Sequence, residues 1–369
     1  MKVLHVYKTY YPDTFGGIEH VILTLSKSLS KMGITSEVFC LTSNETKSHI
    51  VDNIQVHRFK ANFTIASTPF SMIAFKKFKA IAEQFDIIHY HFPYPFSDML
   101  HLFTNIKKPT VLTYHSDIVK QKVFYQMYKP LMNRFLNNIN QIIATSPGYI
   151  ESSPVLQNFK SKTNLIPIGI DKNDYISPLA PNVQNLKNSF GTRFFAFIGV
   201  LRYYKGLHIL IEAVRNTDIQ IVIAGSGPIE DSLKKQAAGM TNIHFMGAIT
   251  EQQKADLLEA CYGFIFPSHL RSEAFGISLL EAAMYRKPLI SCEIATGTSY
   301  INEDNVTGFV VEPNCSDQLK KAMLSLLANF DLAKEMGENA YKRYEKLFTR
   351  NQMTAAHKNI YQSILHSSN

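Results

Sequence analysis

The sequence predicts an α/β protein made of two doubly wound domains, each built on a parallel sheet. Short runs of β-branched and aromatic residues alternate with longer amphipathic helical patterns along the chain. A stretch rich in Pro, Asn and Ser, residues 167–190, interrupts this alternation, which then restarts. A length of 369 residues with 46% hydrophobic content is enough to build two cores.

The elements follow in order from these patterns. The expected strands of the first half are VLHVY (3–7), EVFCL (37–41), DIIHYH (86–91), TVLTYH (110–115) and QIIATS (141–146), with helices near 18–32, 70–84 and 120–138. The expected strands of the second half are FFAFIGV, IQIVIAG, IHFMGAI, GFIFPS and PLISC. We therefore expect domains at 1–175 and 176–350, followed by a helix at 351–369 that crosses back onto the first domain.

Composition indicates a reducing compartment. The four cysteines have no paired spacing, so neither a disulfide framework nor a zinc site is expected: Cys40, Cys261, Cys292 and Cys315. No apolar run is long enough to span a bilayer, and MKVLHVYKTYYP does not have the pattern of a signal peptide. We expect a cytoplasmic protein, which can still touch a membrane from outside.

The positive charge lies in the first half. Residues 1–187 contain 20 Lys+Arg against 12 Asp+Glu, a net of +8, whereas residues 188–369 contain 18 of each, a net of zero. Such a field favours an anionic lipid surface, a phosphorylated substrate or nucleic acid, although lysines that only aid solubility give the same count. The basic residues form no known nucleic-acid motif, so no nucleic-acid partner is expected.

Charged and small residues follow the strands of the second half, where open α/β sheets bind ligands. Arg202 and Lys205 follow FFAFIGV, and two cations at that point suit a diphosphate. Gly225 and Gly227, in the GSGP after IQIVIAG, allow backbone to approach a ligand. A dinucleotide fingerprint would need a third glycine, which counts against NAD.

The segment RSEAFGISLLEAA combines a helix start with two carboxylates. The free amides at Phe275, Gly276 and Ile277 favour anions, while Glu273 and Glu281 suit neutral sugar hydroxyls beside them. A capping acid and a solvated helical glutamate are the alternative interpretation of the two glutamates.

Four motifs in this order make the chain resemble family 4 retaining glycosyltransferases of GT-B fold: GGIE at 16–19, Arg202 and Lys205 before a glycine, GSGP, and Glu273 and Glu281 with seven residues between them. The resemblance covers nearly the whole chain and implies two facing Rossmann-like domains with an interdomain cleft. The runs VLHVYKTYYPDTFGGIEHVI and SCEIATGTSYINEDNVTGFVVEP resemble bacterial enzymes that build lipopolysaccharide O-antigen or core, several of which transfer mannose or a related sugar from a GDP-linked donor.

In the second domain, the resemblance implies that Arg202 and Lys205 stabilise the leaving nucleoside diphosphate and that Glu281 binds the ribose. Glu273 would hold hydroxyls of the donor sugar, and the amides from Phe275 to Ile277 would hold sugar and phosphate oxygens. Thr296 to Ser299 retains only Gly297 of a turn that is Gly-rich in many relatives.

In the first domain, Gly16 and Gly17 would form a loop that closes over the diphosphate. His115 resembles the family histidine near the donor sugar and the reaction centre, although a histidine at a strand end is often structural. His89, His91 and Asp117 are weaker candidates for contact with the acceptor.

No carboxylate nucleophile is apparent in the first domain, which argues against a covalent intermediate on the protein. The resemblance implies front-face transfer instead. No Asp-x-Asp occurs, so no metal is expected and the nucleotide-sugar donor, GDP- or UDP-linked, needs no further cofactor. A UDP-hexose or UDP-N-acetylhexosamine donor, and less so a GT-B nucleotide-sugar epimerase, remain alternatives. A non-catalytic sugar-binding module is disfavoured by the cations and Glu281.

The acceptor is expected on the basic first domain, at a peripheral position on the cytoplasmic face of the inner membrane. Two segments, 70–85 and 118–135, mix aromatic residues with the cations Lys76, Lys77, Lys79, Lys120, Lys122, Lys129 and Arg134. Such helices suit an anionic lipid interface, although a core helix with lysines on its solvent face has the same composition. A saccharide linked to polyprenyl diphosphate or to lipid A-core is the expected acceptor.

Overall fold

The computed structural model describes residues 1–118 and 122–367 and divides into two compact units. Unit 1 contains Met1–Gly169 and Arg350–Asn369, and unit 2 contains Ile170–Thr349. Unit 1 contains 20 Lys+Arg against 10 Asp+Glu, a net charge of +10, whereas unit 2 contains 18 against 20, a net of −2. The division into units thus separates the charge more sharply than the two sequence halves do.

Unit 1 is built on an eight-stranded sheet of order β10-β9-β8-β7-β1-β2-β4-β3. Every neighbouring pair is parallel except β3 and β4. The chain order reverses between β1 and β7, which is where such sheets bind ligands. The strands are β1 Lys2–Val6, β2 Thr35–Thr42, β3 His49–Val51, β4 Ile54–Lys60, β7 Ile87–Phe92, β8 Thr110–Tyr114, β9 Gln141–Ala144 and β10 Thr163–Leu165, with β5 Phe63–Ile65 and β6 Thr68–Phe70 in a separate antiparallel ribbon.

The helices that precede the second unit are α1 Gly17–Ser30, α2 Met72–Ala82, α3 Pro95–Phe103, α4 Lys122–Asn138, α5 Pro147–Ser152 and α6 Pro154–Gln157. Helix α1 buries Leu25 and Leu29 against the sheet residues Val3 and Ile87. Of the fourteen residues of α1, only Gly17, Lys27 and Ser30 are exposed, so most of the helix surface is covered.

Unit 2 is built on a six-stranded, all-parallel sheet of order β13-β12-β11-β14-β15-β16. This is the Rossmann order 3-2-1-4-5-6, with its reversal between β11 and β14. The strands are β11 Phe195–Ile198, β12 Ile221–Ala224, β13 Ile243–Gly247, β14 Gly263–Phe266, β15 Leu289–Cys292 and β16 Gly308–Val311. The helices are α7 Ala180–Phe190, α8 Leu207–Ala213, α9 Glu230–Gln236, α10 Glu251–Ala260, α11 Ile277–Met284, α12 Thr298–Ile301, α13 Ser316–Ala328 and α14 Phe330–Leu347.

The last helix, α15 Arg350–Ser367, belongs to unit 1 and packs beside α1. Its residues Met353, Tyr361 and Ile364 are buried in the same core cluster as Val3 and Leu25. Residues separated by more than 300 positions in the chain therefore share one hydrophobic core.

The predicted pair of doubly wound α/β units with mainly parallel sheets is confirmed. The sequence patterns missed the seven-residue β4, which pairs with β2. They also missed four strands of three residues, β3, β5, β6 and β10, because a strand this short gives no clear alternation. They also missed the four-residue β16.

Lys120 lies outside the described residues. Across the described part of the chain, no helix is both long and apolar enough to cross a membrane.

Candidate functional site

The reversal point of the unit 2 sheet gathers three of the charged residues singled out above. Arg202 and Lys205 follow β11, and Glu273 follows the neighbouring strand β14. The Nζ atom of Lys205 lies 2.5 Å from Oε2 of Glu273, so the two form a charge-assisted hydrogen bond. Sequence spacing alone did not predict this pairing across 68 residues.

This ion pair is enclosed. Each side chain is about 11% exposed, and Ser268 donates its hydroxyl to the same carboxylate oxygen at 3.2 Å. The Lys205 ammonium also lies 4.6 Å from the ring centre of Phe266, at cation–π distance. Arg202, by contrast, is exposed and makes no ion pair with any described residue, so its guanidinium is free to meet an anion.

The start of α11 offers backbone donors. Gly276 caps the helix with φ of 100°, a left-handed conformation that favours glycine. Among the described residues, no backbone acceptor receives a hydrogen bond from the amides of Phe275, Gly276 or Ile277. Such unpaired amides at a helix start can hold an oxyanion. The Phe275 ring itself is buried, and a Cβ on Gly297 would overlap it, so this side chain fixes the turn.

Glu281 lies inside α11 and is 6% exposed. Its Oε1 receives a hydrogen bond from the Nζ of Lys254 at 3.0 Å, and Lys254 also pairs with Glu251 at 2.7 Å. Burial alone lowers the pKa of Lys254, but the two carboxylates outweigh it and the net shift is upward. Glu281 is therefore a paired, nearly buried carboxylate rather than a solvated helical glutamate.

The two glycines of the GSGP turn have a structural reason. A Cβ on Gly225, whose φ is 128°, would overlap the carbonyl oxygen of Gly199, and one on Gly227 would overlap that of Leu201. Backbone of the turn therefore packs directly on the segment that leads to Arg202. The helix that follows the turn, α9, begins at Glu230, two residues after Pro228.

In unit 1, the Gly16–Gly17 loop leads from β1 into α1 and is held by an acid that sequence reasoning did not single out on its own. Glu19 Oε1 accepts hydrogen bonds from the hydroxyls of Thr9 at 2.9 Å and Thr14 at 2.6 Å. The same carboxylate fills the space that a Cβ on Gly16 would need. The loop conformation thus depends on glycine at 16 and on the buried Glu19.

His115 comes directly after β8, at the carboxyl edge of the unit 1 sheet. It is 5% exposed, and its Nε2 lies 3.0 Å from Nδ1 of His91. Burial lowers the pKa of His115 to about 3, so the imidazole is neutral near physiological pH.

The weaker acceptor candidates occupy structural positions. His89 and His91 are fully buried, which favours a structural role, and their contact with an acceptor stays a prediction. Asp117 accepts hydrogen bonds from Tyr114 at 2.8 Å and Ser153 at 2.6 Å, which joins β8 to the α5–α6 turn.

The solvent face of α2 carries Lys76, Lys77 and Lys79, while Phe78 and Ala74 are buried. Exposed apolar residues lie beside these lysines at the start of α2 and on the β5–β6 ribbon: Met72, Ile73, Phe63 and Ile65. In α4, Phe124 and Met127 are exposed and so are Lys129 and Arg134, whereas the Lys122 side chain lies outside the described residues. Both helices therefore combine a basic and an apolar surface.

Two doubly wound units, with cations and carboxylates at the reversal point of the second, are the arrangement expected for the GT-B class of glycosyltransferases. A family model described as Glycosyltransferase Family 4 matches residues 15–174, and one described as Glycosyl transferases group 1 matches residues 182–343. The chain is 47% identical to O-antigen chain mannosyltransferase C of Escherichia coli, covering 100% of both, and 47% identical to D-rhamnosyltransferase WbpZ of Pseudomonas aeruginosa, covering 95% and 92%. The chain therefore belongs to glycosyltransferase family 4.

Solved structures support the same fold. Sucrose-phosphate synthase from Thermosynechococcus elongatus superposes with a TM-score of 0.80 at 19% identity, covering 99% of both chains. Anabaena Alr3699/HepE in complex with UDP and glucose superposes with a TM-score of 0.78 at 19% identity, covering 98% of this chain and all of that one. The predicted family and GT-B fold are thus confirmed, and the protein is a glycosyltransferase.

Proposed function

We propose that this glycosyltransferase moves a manno-configured hexose from a GDP-sugar to a saccharide of an O-antigen or a related lipid-linked acceptor, with retention of anomeric configuration. The observation that carries the chemistry is the enclosed Lys205–Glu273 pair, with Arg202 beside it, at the reversal point of the Rossmann sheet. The names of the two relatives at 47% identity support the substrate class.

The sugar choice follows from a shared stereochemistry. One relative is named for mannose and the other for D-rhamnose, which is 6-deoxymannose. The two sugars differ only at the 6-hydroxyl, so either relative supports a manno-configured donor. A UDP-hexose or UDP-N-acetylhexosamine is the second candidate, supported by the UDP complex of the structural neighbour.

In the proposed donor site, the role of each residue follows from its charge. Arg202 and Lys205 stabilise the negative charge that develops on the departing diphosphate. The amides of Phe275, Gly276 and Ile277 hold oxygens of the sugar and phosphate, while Gly225 and Gly227 shape the wall beside them. Glu281 accepts hydrogen bonds from ribose hydroxyls, and Lys254 holds its carboxylate in place.

Glu273 has two tasks in this proposal. It neutralises Lys205 through the ion pair, and it accepts hydrogen bonds from donor-sugar hydroxyls once the diphosphate has become the partner of Lys205. In unit 1, the Gly16–Gly17 loop closes over the diphosphate and His115 lies near the sugar. The departing phosphate deprotonates the acceptor hydroxyl, and the new bond forms on the face that the leaving group vacates.

No metal ion has a role in this scheme, because Lys205 and Arg202 supply the positive charge on the diphosphate. We propose that the acceptor meets the basic unit 1 at an anionic membrane surface, on the cytoplasmic face of the inner membrane. The exposed lysines and apolar residues of α2 support this contact.

The test begins with purified protein and a thermal-shift series of GDP-mannose, GDP-D-rhamnose, UDP-glucose and UDP-N-acetylglucosamine. A cognate donor at 100 times its Kd stabilises the protein by about 2.7 kcal/mol. We expect the larger shift from a GDP-sugar, transfer to an O-antigen acceptor in the presence of a chelator, and a product with the anomeric configuration of the donor. A larger shift from UDP-sugars would move the proposal to its second candidate, and inversion or chelator-sensitive transfer would refute the mechanism.

A further inference from the structure

Five imidazoles lie together in the core of unit 1. They come from three strands or strand ends and one helix: His5 on β1, His89 and His91 on β7, His115 after β8, and His357 on α15. The rings of His89 and His91 are 4.6 Å apart, and those of His91 and His115 are 5.3 Å apart, both stacked. All five are at most 5% exposed, so solvent does not compete for their nitrogens.

Three of these rings form a continuous hydrogen-bonded chain. Nδ1 of His5 lies 3.1 Å from Nε2 of His91, and Nδ1 of His91 lies 3.0 Å from Nε2 of His115. At the inner end, Nε2 of His5 is buried without a partner. At the outer end, Nδ1 of His115 has no hydrogen-bond partner among the described residues.

A neutral imidazole carries one N–H and one lone pair, so it donates at one nitrogen and accepts at the other. Burial keeps all three rings neutral: it lowers the pKa of His5 and of His115 to about 3, and that of His91 falls well below its usual range. Each link joins a Nδ1 to a Nε2. If His91 donates from Nδ1, then His5 must also donate from Nδ1 and His115 must carry its proton on Nδ1; if His91 donates from Nε2, all three carry it there.

We propose that His91 and His5 are positioning residues that set the tautomer of His115, so that the three rings always share one tautomer and together decide whether the outer nitrogen of His115 donates or accepts a hydrogen bond. Because His115 is the histidine placed near the donor sugar, this inference rests on the proposed function. A lone His115 would interconvert between two tautomers independently, whereas in the chain its outer nitrogen changes from donor to acceptor only if the protons of all three rings shift together.

A metal ion is the competing explanation, because ligand atoms of His5, His89 and His91 all lie within 4.8 Å of one another. Both nitrogens of His89, however, are already bonded, to the hydroxyls of Tyr361 and Thr113 at 2.7 Å each. Coordination would break these bonds as well as the link from His5 to His91. The hydrogen-bonded arrangement satisfies five of the six nitrogens of these three residues without a metal.

The first test reads the tautomers directly. In ¹⁵N-histidine-labelled full-length protein, long-range ¹H–¹⁵N spectra distinguish a protonated ring nitrogen from an unprotonated one, with resonances assigned from single variants. We expect His5, His91 and His115 to carry the proton on the same named nitrogen. A mixture of tautomers among the three, or a stoichiometric metal ion bound to the purified protein, would overturn the proposal.

The second test uses a matched pair at His91. The amide of His91→Asn reaches the place of Nδ1 and can keep the bond to His115, whereas that of His91→Gln reaches the place of Nε2 and leaves His115 unpartnered. We expect His91→Gln to lower kcat by about 10- to 100-fold with unchanged affinity for free nucleoside diphosphate, and His91→Asn to recover most of that loss. Equal kcat for the two variants would contradict a positioning role.

Two further variants separate the possible failures. His101→Gln removes a buried imidazole that bonds Tyr90 and lies outside the chain, so it reports the cost of any buried histidine substitution in unit 1. His115→Ala tests the proposed function itself. Normal turnover in His115→Ala would refute the role of His115 in the proposed function, but not the shared tautomer of the three rings. Mixed tautomers together with impaired turnover in His115→Ala would refute the shared tautomer, but not the role of His115.

Discussion

A double-mutant cycle on Lys205 and Glu273 separates the contribution of this ion pair to stability from its contribution to turnover. Lys205→Met removes the ammonium and leaves the Glu273 carboxylate, about 11% exposed, with only Ser268 as a hydrogen-bond partner among the described residues. An uncompensated charge at this depth costs about 3 to 5 kcal/mol. In a unit of 180 residues, this corresponds to a Tm lowered by roughly 6 to 20 °C.

The double variant Lys205→Met/Glu273→Gln removes both charges. We expect it to recover most of the lost stability, because no unpaired ion remains. Turnover should not recover. Loss of one electrostatic partner of the departing diphosphate lowers kcat by about 10²- to 10³-fold, and Glu273→Gln cannot replace that charge.

The measurements are scanning calorimetry and steady-state kinetics with the best donor on both single variants and the double variant. Lys234→Met is the matched control, because its partner Glu230 lies one helical turn away on the surface, and we expect almost no change in Tm or kcat. If the double variant regained turnover along with stability, Lys205 would be a structural residue only. If the single variants left the Tm unchanged, the enclosed ion pair would not exist in solution.

Three other perturbations test separate parts of the molecule. Arg202→Ala should lower kcat by about 10²-fold, since it removes a positive charge that stabilises the leaving diphosphate, while the Tm stays constant because Arg202 is exposed and has no ion pair with any described residue; kinetics at wild-type level would exclude it from the site. In titration calorimetry, Glu281→Ala should weaken both free GDP and the donor, whereas Glu273→Gln should spare free GDP, and equal losses would mean a shared structural role. Replacing Lys76, Lys77 and Lys79 with Glu should weaken binding to anionic vesicles without affecting hydrolysis of free donor. Unchanged vesicle binding would mean that α2 is a core helix whose lysines only face solvent.

Acid should unfold unit 1 before unit 2. The unfolded chain protonates its histidines near pH 6.5, whereas burial holds the pKa of His5 and His115 at about 3 and that of His357 at about 4 in the folded unit. Stability therefore falls as the pH falls through this window, by about 1.4 kcal/mol per pH unit for each such histidine. Hydrogen exchange followed by mass spectrometry at several pH values checks this, and simultaneous loss of protection in both units would contradict it.

The sequence was sufficient for the class of fold because each core strand is an apolar run bounded by turn residues, and the parallel order follows from the helices between them. It was also sufficient to place Lys205 and Glu273 after strands. It could not show that the two residues pair with each other, because that depends on β11 and β14 being neighbours while 68 positions of chain separate their first paired residues, Phe195 and Gly263.

The contacts of the buried polar groups were harder to predict from the sequence. His89 and His91 alternate with apolar residues in β7, a pattern that suits a surface-facing or a site-facing row equally well. Only the packing of α15, which brings Tyr361 to His89, shows that this row faces a core. Lys254 gave no sequence signal at all, since a lysine in an amphipathic helix is ordinary until its contact with Glu281 is known.

The discontinuity of unit 1 has a consequence for synthesis on the ribosome. Met353, Tyr361 and Ile364 complete a core that begins at Val3, so the first 169 residues leave the exit tunnel with part of that core uncovered. At roughly 5 to 20 residues per second, translation of the 180 residues of unit 2 takes about 10 to 40 s. Throughout that interval the apolar face that α15 will cover, and His89, which contacts Tyr361 and His357 of that helix, lack their covering residues, while the contiguous unit 2 has every residue it needs to fold.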